Sequence, residues 1–270
     1  MTELRDAHVV ITGAASGLGR RMALGVAQRG GTLSLWDVNT TGLDAVVTEV
    51  TSLGGRARPV VCDVSDRRAV YAAAVGITDP VDVLIHNAGV VNGQSLLDIP
   101  DERIETSLQI NTHSLFWMTK AFLPAMIERD RGHIVTIASA AGLIGVPRLT
   151  DYCASKFAAV GLDESLRVEL KQRGSAVRTT VVCPYYIDTG MFEGVKTRFS
   201  FLLPILKEED VADKILKAVE RDRPRLQMPA MVHSIPLIRL LPVHWFDGIA
   251  RLMGISASTD DFVGRNRDLS

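Results

Sequence analysis

The stretch His8-Val9-Val10-Ile11-Thr12-Gly13-Ala14-Ala15-Ser16-Gly17-Leu18-Gly19 decides the fold of this chain. It starts as an apolar run that is typical of a buried strand and continues into a glycine-rich turn. A helical pattern begins at Arg20 or slightly before it. Strand, glycine-rich turn and helix in this order form the context in which a turn binds the phosphates of a dinucleotide. The stretch therefore predicts a first βα unit with such a ligand.

Each glycine of the turn has its own task in a unit of this kind. Gly13 permits the tight turn, Gly17 lets the backbone approach the pyrophosphate, and Gly19 lets helix pack against strand. The unpaired N–H groups and the positive dipole at the helix start attract phosphate. Ser16 and Leu18 belong to the same turn, and we include them among the predicted cofactor contacts.

Strand and helix patterns alternate along the rest of the chain. Strands are predicted near residues 32–36, 57–62, 81–86, 133–138, 177–182 and 225–228, and helices near 41–53, 66–76, 101–110, 111–129, 150–172 and 208–220. The alternation predicts an α/β protein with one doubly wound parallel sheet and helices on both faces. No linker or repeat divides the chain, so residues 1–270 are predicted to form a single domain.

Composition limits the class of protein and its partners. The 270 residues are 47% hydrophobic, carry a formal net charge of -1 and include three cysteines without metal-like or redox-pair spacing. This balance favours a cytoplasmic globular protein with no bound metal and no nucleic-acid partner. The start of the chain is charged, and no run of ~18 apolar residues occurs. We therefore expect neither a signal peptide nor a membrane anchor.

The acid that ends the second predicted strand bears on the choice of cofactor. Asp37 lies about twenty residues after the glycine-rich turn, where an acid hydrogen-bonds the adenosine ribose and repels a 2′-phosphate. Neither Ser16 nor Val38 supplies a positive charge, and Asp37 should outweigh the nearby Arg20 and Arg21. NAD is therefore predicted in preference to NADP. A strand-end acid that only caps the next helix is the alternative.

Two other strand ends supply candidate cofactor contacts. Asp63-Val64 follows the third predicted strand, and its acid can reach the adenine amino group. Asn87-Ala88-Gly89 follows the fourth, where small residues let the cofactor lie flat and Asn87 can brace neighbouring strands. His86 invites an acid–base role, but a half-buried histidine at a strand end is the preferred interpretation.

A second group of polar residues lies in the middle of the chain. Tyr152 and Lys156 stand four residues apart in a predicted helix, so they share one helical face. A cationic neighbour favours the phenolate and makes tyrosine a plausible general acid or base. Alone, the pair also fits a surface lysine beside a core tyrosine. Ser139 ends the fifth strand and should point into the crevice of the glycine-rich turn. Asn111 is a poor helix former within a helical pattern, and its amide can hold a water in the site.

Together these motifs resemble the short-chain dehydrogenase/reductase family over nearly the whole chain. Thr12-Gly13-x-x-x-Gly17-x-Gly19, Asn87-Ala88-Gly89, Asn111, Ser139 and Tyr152-x-x-x-Lys156 occur in the family's order and approximate spacing. The resemblance implies a Rossmann fold and an NAD-dependent oxidoreductase. It also implies that Ser139 binds the substrate oxygen and Tyr152 transfers the proton. Lys156 would lower the tyrosine pKa and hold the nicotinamide ribose, and Asn111 would hold a relay water.

The segment after the sixth predicted strand is similar to a narrower branch of the family. The run 183–194 and the ending 260–265 look like the retinol dehydrogenases and the 17-beta-hydroxysteroid-dehydrogenase-like enzymes. Pro184, Ile187 and Thr189 are the implied contacts at the nicotinamide end. Tyr185 stands where the family often has glycine, which places a bulky side chain beside the nicotinamide pocket.

Apolar segments around the site favour a lipophilic substrate. The walls are predicted from residues 140–147 and from a substrate loop, 185–205, that carries Tyr185, Tyr186, Met191, Phe192, Phe199 and Phe201. We expect a retinoid, steroid or long-chain alcohol, or its carbonyl. The alternatives are an NADP-dependent ketoreductase, against which Asp37 argues, and a non-catalytic dinucleotide-binding regulator. The presence of all four polar residues argues against the regulator.

The carboxyl-terminal extension, residues 230–270, is unusually apolar between Met231 and Ile255. It can form a lid over the pocket, an interface in a homo-dimer or homo-tetramer, or a patch on a membrane surface. Because it is not strongly basic, packing against the pocket or a partner subunit is favoured over peripheral membrane contact.

Overall fold

The computed structural model describes residues 1–259 and 261–264, so Asp260 and Arg265 of the carboxyl-terminal motif lie outside the described residues. The strands found there are β1 (His8–Thr12), β2 (Thr32–Asp37), β3 (Arg56–Val61), β4 (Val83–His86), β5 (His133–Ile137), β6 (Arg178–Pro184) and β7 (Arg225–Met228). The α-helices are α1 (Gly17–Gln28), α2 (Thr40–Ser52), α3 (Arg67–Val75), α4 (Asp101–Leu108), α5 (Ser114–Glu128), α6 (Thr150–Gln172), α7 (Glu208–Glu220), α8 (Ile235–Ile238) and α9 (Val243–Leu252).

The strands form one parallel sheet in the order β3-β2-β1-β4-β5-β6-β7. Helices α1, α2 and α7 cover one face, and α3, α5 and α6 cover the other. The prediction of a doubly wound Rossmann-type sheet is therefore confirmed. The chain reverses its direction of progress across the sheet between β1 and β4, and the carboxyl ends of these strands open a crevice there.

Strand β1 lies inside the sheet, between β2 and β4, and contributes to both halves of the core. Val9 and Ile11 pack beneath α1 and α7, whereas Val10 packs on the opposite face with Met118 of α5. Successive side chains of a strand point to opposite faces, so an almost unbroken apolar run is what a strand covered on both sides requires. The burial of β1 fixes where the glycine-rich turn leaves the sheet.

The predicted helix 111–129 begins later than expected, because a π-helical turn, Gln109–His113, joins α4 to α5. Asn111 lies in this turn and is fully buried. A single π-turn inside helical structure is a common feature of functional sites, because it redirects one side chain. Here it aims Asn111 at the loop that follows β4.

One buried carboxyl lies beneath α6, away from the crevice. Asp163 is 1% exposed, and its Oδ2 accepts a 3.3 Å hydrogen bond from Thr179 of β6. Burial raises its pKa to about 7, opposed by that hydrogen bond and by Arg167 and Arg225, whereas Glu164 adds to the rise. The fold thus favours the protonated form of this side chain.

The raised pKa of Asp163 predicts a loss of stability with rising pH. A group of this kind stabilises the fold fully below the unfolded pKa of ~3.9, and the contribution disappears as the pH rises through about 7. Between pH 5 and pH 8 the free energy of unfolding of wild type should fall by about 2 kcal/mol relative to that of Asp163→Asn, because the asparagine cannot ionise. Urea denaturation at both pH values measures the difference, with exposed Asp79→Asn as control. Parallel pH profiles for wild type and Asp163→Asn would contradict the prediction.

Candidate active site

The glycine-rich turn leaves β1 and leads directly into α1, whose first turn faces the crevice. Gly13 and Gly17 have φ values of +64° and +52°, a region that residues with a Cβ rarely adopt. A Cβ on Gly19 would lie 2.1 Å from the Gly13 carbonyl oxygen, so no side chain fits between the turn and the helix. The sequence-based tasks of turning and close packing are both visible in this geometry.

Hydrogen bonds between the ends of β1 and β4 fix the width of the crevice. The Asn87 amide donates to the carbonyl oxygens of Thr12 and Gly13 at 2.9 and 3.0 Å. In return, the Thr12 hydroxyl accepts from the backbone N–H groups of Asn87 and Ala88. The expected bracing role of Asn87 is confirmed, and it acts on the backbone of the turn itself.

Two acids lie at the far end of the crevice. The Asp37 carboxylate accepts hydrogen bonds of 3.0 Å from the N–H groups of Ala15 and Asn39, which hold it beside the glycine-rich turn. Asp63 accepts from the N–H of Ser65 at 2.8 Å and remains exposed. Both carboxylates therefore face the part of the crevice where the adenosine half of a dinucleotide is expected.

The crevice brings together nearly all residues predicted to bind the cofactor. Its lining includes Gly13, Ser16, Gly17, Leu18, Asp37, Asp63, Val64, Asn87, Ala88, Gly89, Tyr152, Lys156, Pro184, Ile187 and Thr189. Gly19 is the predicted contact that does not line it, because it packs against the turn from behind. The close backbone approach, the helix start and the acids at one end fit a dinucleotide.

Ser139 and Tyr152 meet at the opposite end of the crevice. Ser139 lies two residues after the end of β5, and its Oγ accepts a 3.1 Å hydrogen bond from the N–H of Ala141. Its hydroxyl is also hydrogen-bonded to the phenol of Tyr152. Burial raises the pKa of Tyr152 well above its usual range, and the bond to Ser139 opposes the rise. The phenol is therefore protonated at neutral pH.

Lys156 lies one turn along α6 from Tyr152 but does not act on its pKa as expected. Its Nζ donates a 2.8 Å hydrogen bond to the Ile137 carbonyl and lies 5.6 Å from the centroid of the Tyr152 ring. Burial lowers the pKa of Lys156 to about 8. The expected lowering of the tyrosine pKa is not seen, because burial dominates that pKa and disfavours charge on both side chains.

Asn111 connects the loop after β4 to α6. Its Oδ1 accepts from the N–H of Val90 at 2.8 Å, and its Nδ2 donates to the Val90 carbonyl and to Ser155 Oγ. Ser155 donates in turn to the carbonyl oxygen of Tyr152 at 2.7 Å. A Cβ on Gly89 would lie 3.3 Å from Asn111 Oδ1 and 3.7 Å from Lys156 Nζ. The amide thus organises the backbone around Lys156.

A second pocket, almost entirely apolar, adjoins the crevice and shares Ser139, Tyr152, Tyr185 and Phe192 with it. It holds about 810 Å³ of space, including its open mouth. One wall comes from the loop after Ser139, through Ala140, Ala141, Ile144 and Val146, as predicted. Ser139 and Tyr152 therefore lie where a polar crevice and an apolar pocket meet.

The substrate loop forms only part of the wall predicted from it. Tyr185, Tyr186 and Phe192 line the apolar pocket, and Phe192 packs edge-on against Tyr152 with ring centroids 5.7 Å apart. Met191 lines the cofactor crevice instead. The assignment of Phe201 to the wall is wrong, because this side chain is 80% exposed, and Phe199 is also absent from the pocket lining.

The carboxyl-terminal extension closes the apolar pocket, as one of the predicted alternatives has it. Ten of its residues line the pocket: Met231, Val232, Ser234, Ile235, Ile238, Phe246, Ile249, Ala250, Met253 and Ile255. We call residues 231–255 the lid. On α9 the inward positions 246, 249, 250 and 253 follow the spacing of one helical face. Packing against the pocket is therefore visible directly in the described residues.

Sequence reasoning missed a segment that ties the loops of the site together. Ser258 Oγ is hydrogen-bonded to Tyr186 Oη at 3.0 Å, and Thr259 donates to the carbonyl of Pro147. Phe262 packs against Phe192 and occupies the space beside Gly93, where no Cβ would fit. The sequence signal was weak, because isolated serine, threonine and phenylalanine residues carry no spacing of their own.

His86 is excluded from the chemistry by its position. It is buried beneath the sheet end, lies 3.1 Å from the Thr119 hydroxyl through Nε2, and does not line the crevice. Burial lowers its pKa to about 3, so it is neutral at physiological pH.

Within residues 1–259 and 261–264, no cluster of three or more His, Cys, Asp or Glu side chains could hold a metal ion. In the same ranges, no helix is long and apolar enough to cross a membrane.

The fold and the site define a dinucleotide-binding oxidoreductase of the doubly wound α/β class. A model of the short chain dehydrogenase family matches residues 7–198. The chain belongs to this family and is an oxidoreductase that acts on CH–OH groups with NAD or NADP.

Similar proteins and structures agree with this family. The chain is 43% identical over 265 residues to epidermal retinol dehydrogenase 2 of Mus musculus. The alignment covers 96% of this chain and 86% of the mouse protein. A short chain dehydrogenase/reductase from Burkholderia phymatum in complex with NAD has a TM-score of 0.81 at 29% identity, covering 89% and 95% of the two chains. A metagenomic short-chain oxidoreductase in complex with NADP has a TM-score of 0.71 at 30% identity, covering 84% and 98%.

The packing of Gly19 predicts a specific effect on cofactor binding. Gly19→Ala forces a Cβ against backbone at 2.1 Å, so the turn must move. We expect a lower thermal midpoint and at least a roughly tenfold weaker affinity for NAD, measured by calorimetry. Gly161→Ala is the matched control, since its Cβ on α6 would meet nothing within 4 Å. Alanine is the better helix former, so the control should gain up to ~1 kcal/mol and bind NAD normally. Equal NAD affinity of the two variants would contradict the prediction.

Proposed function

We propose that the protein interconverts a lipophilic alcohol and its carbonyl compound with NAD, using Tyr152 as the proton donor and acceptor. The observation that carries this proposal is the position of Ser139 and Tyr152 in the lining of both pockets. A substrate oxygen bound there meets two hydroxyl groups, while its hydrocarbon part enters the apolar pocket. The carbon that bears this oxygen then faces the crevice.

The cofactor, when bound, supplies or accepts the hydride. In the direction of carbonyl reduction, Ser139 and Tyr152 donate hydrogen bonds to the substrate oxygen and stabilise the negative charge that develops on it. Tyr152 then gives its proton to that oxygen. Its raised pKa suits this role, because the phenol holds its proton until a stronger base forms beside it.

Lys156 returns the site to its protonated state in this proposal. With a pKa of about 8, its ammonium can exchange a proton near neutral pH, whereas an ordinary lysine cannot. The hydrogen bond to Ile137 holds Nζ beneath the crevice, 5.6 Å from the tyrosine ring. Asn111 supports this arrangement through its bonds to the Val90 backbone and Ser155.

The preference for NAD rests on Asp37. Its carboxylate is held beside the glycine-rich turn by the Ala15 and Asn39 N–H groups, where a 2′-phosphate would meet a fixed negative charge. Among the lining residues of the crevice, Ser16 and Val38 carry no compensating charge. An NADP-dependent reductase remains the second candidate, since a structural neighbour binds NADP.

A lipophilic substrate is supported by the pocket and by the relatives. The far end of the pocket is built from aliphatic and aromatic side chains of the lid, such as Ile238, Phe246 and Met253. The similar mouse protein is named a retinol dehydrogenase, and we extend that class of substrate to this chain as part of the proposal.

Tyr152→Phe tests the proton transfer. The change removes one hydroxyl and keeps the ring against Phe192, so we expect kcat for an apolar alcohol such as retinol to fall about 100-fold or more. The affinity for NAD should change little. Tyr71→Phe on α3, away from both pockets, is the matched control and should keep full activity. Retained turnover in Tyr152→Phe would remove the tyrosine from the chemistry, and higher kcat/KM for sugars than for retinol would exclude the substrate class.

Asp37→Asn tests the cofactor preference. The amide keeps an oxygen that can accept from Ala15 but removes the charge that faces the ribose. We expect the ratio of NAD to NADP affinity to fall about tenfold or more, chiefly through tighter NADP binding. Fluorescence titration of both nucleotides measures this ratio. A wild-type protein that binds NADP more tightly than NAD would falsify the assignment.

A further inference from the structure

The outer surface of the lid ends in an exposed apolar projection. We define the lid tip as residues 237–245, which comprise the end of α8, the connecting turn and the start of α9. Leu237, Leu240, Val243 and Trp245 are each between 61% and 82% exposed, and Leu241 is exposed as well. Single exposed apolar residues are ordinary, but five within nine consecutive positions form a local patch that needs an explanation.

The exposed apolar side chains of the lid tip do not line the pocket beneath it. The inward residues Ile238, Phe246 and Ile249 line the pocket, whereas the exposed tip residues do not. The lid is therefore apolar on two opposite sides: one side faces the substrate pocket and the other faces outward. A lid that served only the pocket would be polar on its outer side.

The charges of the lid tip have one sign. Arg239 is exposed and is the formal charge between positions 237 and 246; Asp247 is the first acid after them. The guanidinium lies over the rings of Phe157 and Phe246 and donates to the Leu143 carbonyl at 2.7 Å. It is thus held at the base of the apolar projection. Arg198 and Arg251 add exposed cations at the other end of the lid.

We propose that the lid tip inserts into the surface of a lipid bilayer that contains anionic headgroups. Exposed leucine and valine side chains would enter the acyl boundary, and Trp245 would lie at the headgroup level, which amphipathic aromatic rings prefer. The fixed Arg239 at the base of the projection matches the negative charge of the headgroups. Such docking brings the lid of the apolar pocket next to the phase in which lipophilic alcohols dissolve.

A second copy of the chain fits the lid tip less well. Standard protein interfaces use about 20–30 residues on each side, whereas the projection has nine residues and five exposed apolar side chains. Pairing two tips would also bring Arg239 of each copy together. A bilayer accepts a small, narrow projection and offers opposite charge, so the observations favour lipid.

Vesicle binding of the full chain, without nucleotide or alcohol, tests the proposal. The probes are vesicles of phosphatidylcholine alone and of phosphatidylcholine with phosphatidylglycerol. We expect wild type to co-sediment with the mixed vesicles and the double variant Leu240→Ser/Trp245→Ser to bind at least tenfold more weakly. The matched control is Val75→Ser/Leu97→Ser, which removes two exposed apolar side chains elsewhere and should bind like wild type. Equal binding of the tip variant and wild type would overturn the proposal.

Two further measurements keep the result clear. Brominated lipids should quench part of the tryptophan fluorescence of wild type and much less of Trp245→Phe, a change that does not threaten folding because the side chain is exposed. Sedimentation velocity without lipid should give the same mass for wild type and the tip variant. Self-association that disappears in the tip variant would assign the patch to a second copy instead.

This inference and the proposed function fail separately. The double tip variant should oxidise a short, water-soluble alcohol at the wild-type rate, because its two positions line neither pocket. Absence of vesicle binding would leave the proposed chemistry intact. Absence of turnover in wild type would leave the vesicle result intact.

Discussion

The contact between the glycine-rich turn and the end of β4 is the constraint on which the rest of the site depends. Asn87 donates to the Thr12 and Gly13 carbonyls, and Gly19 approaches the same backbone more closely than any side chain would allow. These contacts hold the start of α1 and the end of β4 at a fixed separation. The positions of the groups that we assign to the cofactor depend on this separation. Asp37 is one of them, because its carboxylate accepts a hydrogen bond from Ala15 in the turn itself.

Burial has opposite effects on the pKa values of Tyr152 and Lys156, the two ionisable groups of α6 that line the crevice. It raises the pKa of Tyr152 and lowers that of Lys156 to about 8, so at neutral pH the phenol is neutral, and the lysine is still mostly charged but releases its proton more readily than an ordinary lysine. A buried site of this kind enhances each hydrogen bond made in it, which favours the catalytic roles that we propose for Ser139 and Tyr152. The role that resemblance suggests for Lys156, as the group that lowers the tyrosine pKa, is therefore not a property of the pair by itself.

The apolar pocket is assembled from parts that are distant along the chain. Residues after β5, the substrate loop and the lid each supply one wall, and Ser258 and Phe262 bond or pack to the loops that carry Tyr186 and Phe192. The lid also explains why the carboxyl-terminal extension is so apolar. One side of it is buried by the pocket, and the other side forms the tip that we assign to a lipid surface.

The sequence by itself determined that the strands form a doubly wound parallel sheet, and it identified nearly all predicted residues that line the crevice. Both depend on local spacing along the chain. Alternating apolar runs, glycines at a βα junction and Tyr152 one turn from Lys156 carry their meaning within a few residues. Only the tertiary structure decided that Phe201 is exposed, that Asn111 turns toward Val90 and that the lid closes the pocket. The tertiary structure also decided that the pKa of Tyr152 is raised and not lowered. Burial and contacts between distant segments have no short-range pattern, so they follow from how the whole chain packs.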